Sequence, residues 1–297
     1  MRFGLMATQL DALVPTNLPP DQLLPHLAKF DQSQLVRDLF LSGFNPIELG
    51  GDLELFFPGV YSPGKVEVLA AMQRELGISY TVHLPLWSVE PSSPLQPIRR
   101  GSVEAVVDCI QATLPLQPDV YVLHAYGALA TEFYRIQFEP QAHNLVLRQF
   151  QNNAVQSLGE ILAKTGLPSR RLAVETVEFP LSLTIELAEA LDLSICFDTG
   201  HVLVGFSGEV DFFKALERSL PRLAEVHLHD APGWSSGSPL AYGKDHQALG
   251  TGDLGLARLL DRLEAAGFQG PLVFELTLAQ ALISLQVIRA IRPDSFD

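Results

Sequence analysis

Apolar residues along the chain fall into short continuous runs, separated by longer stretches in which they recur every three or four positions. The short runs are RFGLMAT (2–8), PIELGG (46–51), SYTVHLP (79–85), VYVLHAYG (120–127), RLAVETV (171–177), LSICFDTG (193–200), AEVHLHD (224–230) and PLVFELT (271–277). Several of these runs are continuously apolar rather than alternating, which predicts strands covered on both faces. Between them, KVEVLAAMQREL (65–76), SVEAVVDCIQATL (102–114), LVLRQFQNNAVQSLGEILAKT (145–165), PLSLTIELAEAL (180–191) and DLGLARLLDRLEAA (253–266) carry the spacing of amphipathic helices. Eight strands alternating with helices predict an α/β chain closed as a single (β/α)8 TIM barrel. An open doubly wound sheet would place a Gly-rich turn after its first strand, and TQLDALVPTNLPP (8–20) has none. No linker, charge run or repeat divides residues 1–297, so they are read as one barrel domain. Two loops, 85–98 and 231–252, are long and rich in Pro, Gly and Ser, a length more often functional than incidental.

Composition narrows the function more than the fold. With 47% apolar and 18% charged residues, the 297-residue chain can bury a large core. Its net charge of −14 argues against a nucleic-acid partner, whose phosphates call for Lys and Arg. Cys109 lies in a helical pattern and Cys196 in a strand, which fits two buried thiols in a reducing compartment. MRFGLMATQLDALVP lacks the apolar core of a signal peptide and no 18-residue apolar span follows, so a cytoplasmic protein without membrane contact is expected.

The candidate chemistry lies at the strand ends, where such barrels build their sites. Those ends present His83, His124, Glu175, Asp198, His227 and Glu275, with His201 just beyond Asp198, His229 and Asp230 just beyond His227, and His246 in the second long loop. Singly each has an ordinary reading: the Asp-Thr-Gly-His stretch 198–201 a turn, His83 or His124 a core histidine, Glu275 a helix cap. Together they would crowd carboxylates and imidazoles into one mouth, where unpaired charges are costly. Divalent cations compensate such a mixture best, and it suits zinc, manganese or iron rather than calcium or magnesium. Weaker candidates surround this set. Glu48 could support a ligand or simply end its strand, and the Gly-Thr-Gly at 250–252 reads better as a capped turn than as an anion site. Arg99, Arg100 and Lys244 are the basic residues near the long loops. Trp87, Tyr126, Trp234 and Tyr242 could stack on a flat ligand or cover the mouth. His26 and His143 read as surface residues.

The ordered set resembles the xylose-isomerase-like barrel superfamily that includes endonuclease IV (AP endonuclease family 2) and many sugar isomerases and epimerases. The matching segments are VHLP, VLHAYG, LAVET, FDTGH, VHLHD, DHQALGTG and VFEL, spanning about residues 79 to 277. The resemblance implies a four-ligand metal site at Glu175, Asp198, His227 and Glu275. It implies an additional site where His83 and His124 share Glu175, and a third at His201 and His246. The family's third-site Asp falls at Lys244 here. Asp245 is adjacent, but an extended segment would turn it away from His246, leaving Lys244 to supply positive charge. Shorter strings (TVHLPL, RRGSVEAV, VYVLH, HLHD, GKDH and FELTLAQALISLQVI) are similar to cobamide-remodelling phosphodiesterases, which hydrolyse the nucleotide-loop phosphodiester of a corrinoid.

These readings lead to a divalent-metal enzyme with one to three zinc or manganese ions per chain. Its expected reaction is hydrolysis of a phosphate ester or diester in a small or medium-sized polar substrate. Glu175 is expected to bridge, Glu275 to bind near the nucleophile, and His201 to hold a metal or orient substrate. Lys244, Trp87, Tyr126 and Trp234 are expected to face the substrate. The alternative is a sugar or sugar-phosphate isomerase or epimerase with one metal and a proton-exchanging glutamate pair. An abasic-site endonuclease is disfavoured by the charge, a non-catalytic metal-binding protein is a further alternative, and a homo-oligomer is left open.

Overall fold

A computed structural model of the chain describes residues 1–7, 19–27, 29–136 and 139–293. Thr8, at the end of the first predicted strand, and residues 9–18 of the glycine-poor stretch after it lie outside the described residues, as does the side chain of His26. Eight parallel strands close into a barrel in sequence order: β1 (Arg2–Met6), β2 (Ile47–Gly50), β3 (Tyr80–His83), β4 (Tyr121–Leu123), β5 (Leu172–Glu175), β6 (Ser194–Asp198), β7 (Leu223–His227) and β8 (Pro271–Phe274). Closure runs through β1 and β8, with Arg2 opposite Pro271 and Leu5 opposite Phe274. Helices connect the strands, the longest being Pro140–Thr165. That helix stops where Gly166 takes the left-handed conformation (φ 65°), which costs glycine little.

Side-chain alternation along the strands sorts the apolar residues into two clusters. Leu5, Ile47, Leu49, Val82, Leu123, Val174, Phe197 and Phe274 face outward into the large core beneath the helices. Val122, Ala173 and Cys196 face inward with Val120, and they are small, as the narrow lumen requires. Both Cys109 and Cys196 are buried free thiols, and burial pushes the Cys109 thiol up to about 12. The strands end one to four residues earlier than the apolar runs suggest. The runs continue into loop segments that stay buried at the mouth, such as Ala125 and Tyr126 after β4.

Two sequence expectations change with the fold. The first long loop ends at residue 95, so Arg99 and Arg100 lie on the helix Gln96–Thr113 and line an outer cleft with Gln156 and Glu160. The Gly-Thr-Gly turn is occupied by the chain's own Asp230, which accepts hydrogen bonds from Gly250 N (2.8 Å) and Leu254 N (2.9 Å). No helix among the described residues is long and apolar enough to cross a membrane.

Candidate metal centre

The C-terminal ends of β3, β4 and β5 bring His83, His124 and Glu175 together. Glu175 Oε2 lies 3.2 Å from His83 Nε2 and 2.9 Å from His124 Nε2, with the two rings edge to face. His83 is fixed from its other side by Nδ1, 2.9 Å from the Leu84 carbonyl. The second oxygen of Glu175 faces across the barrel, 3.2 Å from His201 Nδ1 and 3.6 Å from His227 Nδ1. One carboxylate therefore serves both halves of the mouth.

The remaining ligand candidates come from β6, β7 and β8. His227 Nδ1 lies 3.8 Å from Asp198 Oδ2 and 3.5 Å from Glu275 Oε2. Asp198 also caps the short helix Thr199–Leu203, its Oδ1 accepting from His201 N at 2.7 Å. The turn at 198–201 is thus real, and it leaves Asp198 Oδ2 free to face the mouth. Gly200 adopts a helical conformation there. It is required by close approach, since a Cβ at this position would stand 1.8 Å from the Asp245 carbonyl oxygen.

That approach bears on the loop after β7. The Asp245 side chain turns into the mouth, where Oδ2 lies 2.7 Å from His246 Nδ1 and 3.7 Å from His201 Nε2. This differs from the expectation for an extended segment. The backbone bends at 245–246, after a turn at Tyr242 and Gly243 (φ 71°), and brings neighbouring residues to one side. Lys244 is exposed on the loop, outside this contact. His246 Nε2 in turn lies 3.0 Å from Glu275 Oε2.

The structure brings together three histidine–carboxylate sets: His83, His124 and Glu175; Glu175, Asp198, His227 and Glu275; and His201, Asp245 and His246, the last with Asp245 where the sequence reading set Lys244. Within each, one potential ligand atom per residue lies within 4.8 Å of the others. Glu175 Oε1, Asp198 Oδ2 and His227 Nδ1 are buried without a hydrogen-bond partner among the described residues. Orphaned polar atoms of this kind are costly in a protein interior, and mixed imidazole and carboxylate ligands fit divalent cations such as zinc or manganese. The donor set thus fits such an ion.

Electrostatics point the same way. Burial alone would raise the Glu175 and Glu275 carboxyls, but the surrounding histidines hold both well below the usual range. Burial would likewise lower the histidines. Glu175 overrides it at His83, and Asp198 and Glu175 at His201, lifting both to about 9. Asp245 and Glu275 lift His246 to about 11. Protons on these rings occupy the charge-compensating role that a metal would take.

Three residues of the mouth escape the sequence reasoning. Asp245 is turned away in the extended reading, and His229 carries no role there. His229 is fully buried, with Nε2 3.3 Å from Asp198 Oδ2 and 3.5 Å from Glu275 Oε2. The alternation that turns His227 inward also turns in residues 225 and 229, so a signal for it exists. Glu225 is the third, buried one layer down, with the Thr81 hydroxyl 3.3 Å from its Oε1 and 3.4 Å from Glu48 Oε1. Burial and the charge of Glu48 hold the Glu225 carboxyl well above the usual range. Glu48 Oε2 lies 3.5 Å from His227 Nε2, beneath the ligand candidates.

The aromatic candidates separate. Trp87 is half exposed, edge-on to Phe56, and lines a cavity of about 390 Å³ with His83, His124, Glu175, His246 and Glu275. Tyr126 is buried and stacked on Phe179 at 3.8 Å, which makes it a core residue beside the mouth. Trp234 lies against Gly205 and lines an outer groove with Tyr134 and His143, away from the ligand candidates. Tyr242 pins the second loop to the wall, its hydroxyl donating to Glu178 Oε1 (2.7 Å) beneath the Arg135 guanidinium.

Residues 36–291 match the family described as xylose isomerase-like TIM barrel. Two uncharacterized proteins of Methanocaldococcus jannaschii are similar. One is 22% identical over 224 residues (72% of this chain, 70% of that protein), the other 24% over 189 (63% and 67%). Among solved structures, a D-tagatose 3-epimerase-like protein superposes with a TM-score of 0.68 at 18% identity, covering 99% of this chain and 97% of that one. D-psicose 3-epimerase from Clostridium cellulolyticum gives 0.68 at 14% identity (98% and 99%). Endonuclease IV from Thermus thermophilus gives 0.64 at 18% identity (99% and 100%). At these identities the structural likeness establishes the fold.

Proposed function

We propose, because this chain belongs to the xylose isomerase-like TIM barrel family and carries several histidine–carboxylate sets at its mouth, that it is a divalent-metal-dependent hydrolase. Its substrate is a phosphate ester or phosphodiester of small or medium size. The observation that carries this reading is the sharing of Glu175 Oε2 by His83 and His124, 3.2 and 2.9 Å away. These two imidazoles lie beside a four-residue set that already offers a complete site, and a one-metal isomerase has no use for them. Phosphoryl transfer uses adjacent cations.

When bound, divalent ions supply electrostatic stabilisation of charge on the phosphoryl oxygens and favour an ionised water. The chain's own residues do the rest. Glu175 spans both sets and keeps its charge, as its low pKa requires. Glu275, beside His227 and His246, can accept a proton from an attacking water. His201 and His246 line the same cavity and, with Asp245, would hold an ion there. Trp87 and the 390 Å³ cavity admit a compact ligand. The net charge of −14 and the pairing of Arg135 with Glu178 leave little to grip a nucleic-acid backbone.

A second reading, sugar epimerisation, draws on Glu175 and Glu275 lying 3.6 and 3.5 Å from the same His227 nitrogen, as a proton-exchanging pair about one metal would. It also draws on the epimerase neighbours. One experiment separates the two: metal content by elemental analysis, with turnover of an aryl phosphodiester, of a corrinoid carrying its nucleotide loop, and of ketohexoses. Two or more ions per chain with phosphodiester cleavage support the hydrolase. One ion per chain, unchanged in His83→Ala and His124→Ala, with ketose epimerisation, overturns it.

A further inference from the structure

We propose that His229 is a metal ligand, forming with Asp198, His246 and Glu275 a further cation set beside the one that contains His227. The inference rests on the metal-dependent reading above and adds a site to it. Ligand atoms of these four residues lie within 4.8 Å of one another. Two of the four, Asp198 and Glu275, also belong to the Glu175–Asp198–His227–Glu275 set. The sets are therefore neighbours joined by two carboxylates.

The ordinary alternative is a core histidine satisfied by hydrogen bonds, and His229 does not fit it. The residue is fully buried, and neither ring nitrogen has a hydrogen-bond partner among the described residues. Leaving buried polar atoms unpartnered is costly, and a protein seldom accepts that without use. The ring is aimed at acceptors: Nε2 stands 3.3 Å from Asp198 Oδ2 and 3.5 Å from Glu275 Oε2, and its centroid is 4.3 Å from that of His246. Asp198 Oδ2 is itself buried and unpartnered.

The backbone around His229 is held on both sides. The Thr199 hydroxyl accepts from His229 N at 2.8 Å and lies 2.7 Å from His229 O. The next residue, Asp230, pairs with Gln247 in both directions (2.9 and 3.0 Å). Gln247 follows His246, so the pairing that fixes one imidazole fixes the other. Ligands held by rigid backbone are preorganised for binding.

The set has chemical consequences. Two imidazoles with two carboxylates make it richer in nitrogen than the His227 set, which has one imidazole and three carboxylates. Imidazole suits zinc, whereas carboxylates suit manganese and magnesium. The His229 set should therefore select zinc, and the His227 set should tolerate manganese.

The test is a zinc and cobalt(II) titration of metal-stripped protein, comparing wild type with His229→Gln and His83→Ala. Wild type and His83→Ala are expected to retain an ion that His229→Gln loses or binds about tenfold or more weakly, and the cobalt(II) visible spectrum should change in His229→Gln. Wild-type stoichiometry and an unchanged cobalt spectrum in His229→Gln would overturn the proposal. Should that variant misfold by circular dichroism, anomalous diffraction from zinc-soaked wild-type crystals decides. A zinc peak within roughly 2.0–2.1 Å of a His229 nitrogen supports the proposal, and zinc bound elsewhere in the mouth but not there ends it. Wild-type protein that binds no zinc or cobalt at all would instead remove the metal-dependent reading itself.

Discussion

The two halves of the barrel mouth carry the same chemistry on different supports. His83, His124 and Glu175 sit at the ends of β3, β4 and β5, whose registers are fixed by the parallel ladder. His201, Asp245 and His246 sit on a five-residue helix and a long loop. The first half is positioned by the barrel itself. The second depends on a few local devices: Asp198 capping His201, Asp230 pairing with Gln247, Gly200 clearing the Asp245 carbonyl, and Tyr242 pinning the loop to Glu178. Ligands on strands are precise by default, whereas ligands on loops need a separate reason for each contact.

The largest test breaks both halves at once. Glu175→Ala removes the carboxylate that faces His83, His124, His201 and His227. Removing one partner of a buried charged cluster costs about 3–5 kcal/mol of folding stability, and losing a shared ligand should weaken metal binding by roughly 10–100-fold or more. Isothermal titration with zinc should show weaker binding at both halves, and turnover should fall with it. If one half binds as in wild type, Glu175 does not join them.

A smaller effect is expected from separating the halves. In Gly200→Ala the new Cβ would stand 1.8 Å from the Asp245 carbonyl oxygen, so the loop must move. Overpacking of this kind costs about 1–3 kcal/mol. The melting temperature should fall, and binding at the loop half should weaken while binding that depends on His83 persists. Asp245→Ala should weaken the loop half by about 10–100-fold, whereas Lys244→Ala should leave zinc affinity within about twofold. Titrations in which Lys244→Ala costs more than Asp245→Ala would reinstate the sequence expectation that Lys244 carries the charge there.

The same contrast explains what the sequence made legible. The barrel was readable because eight strands and their helices each follow one period. His83, His124, Glu175, Asp198 and Glu275 were readable because strand ends converge on one face whatever the loops do. His229 was within reach of the same logic, being two residues beyond His227 on an alternating segment. Asp245 was not, because its direction depends on backbone bends after Tyr242 that no periodicity encodes. Tyr126, just after β4, lines a cavity at the mouth with His124 and His201 while its ring stacks on Phe179. Glu225 is not legible because a carboxyl inside the lumen depends on partners from other strands, Glu48 and Thr81, that its own segment does not reveal.

The finest test singles out His246 in the loop half by proton release from the metal-free protein. His83 and His201 are raised to about 9 and His246 to about 11, against about 6.5 in an unfolded chain. A histidine raised on folding stabilises fully below its unfolded pKa, and the contribution is lost as pH climbs through the folded value. The metal-free protein should therefore be most stable near roughly pH 5–6, above the carboxylate range. Its melting temperature should fall most steeply between about pH 6.5 and 9, while all three contributions fade, and less steeply from there toward pH 11, where only His246 still contributes. The metal-loaded protein should behave oppositely at the acid end, since protons displace the ion as pH drops. Histidine ring signals in NMR can follow both. His246 should be the last of the three to lose its proton, because Asp245 at about 2 and Glu275 both press on one ring. His201 and His246 titrating together near the ordinary value of about 6.5 would mean that the loop half is not assembled in solution as it is here.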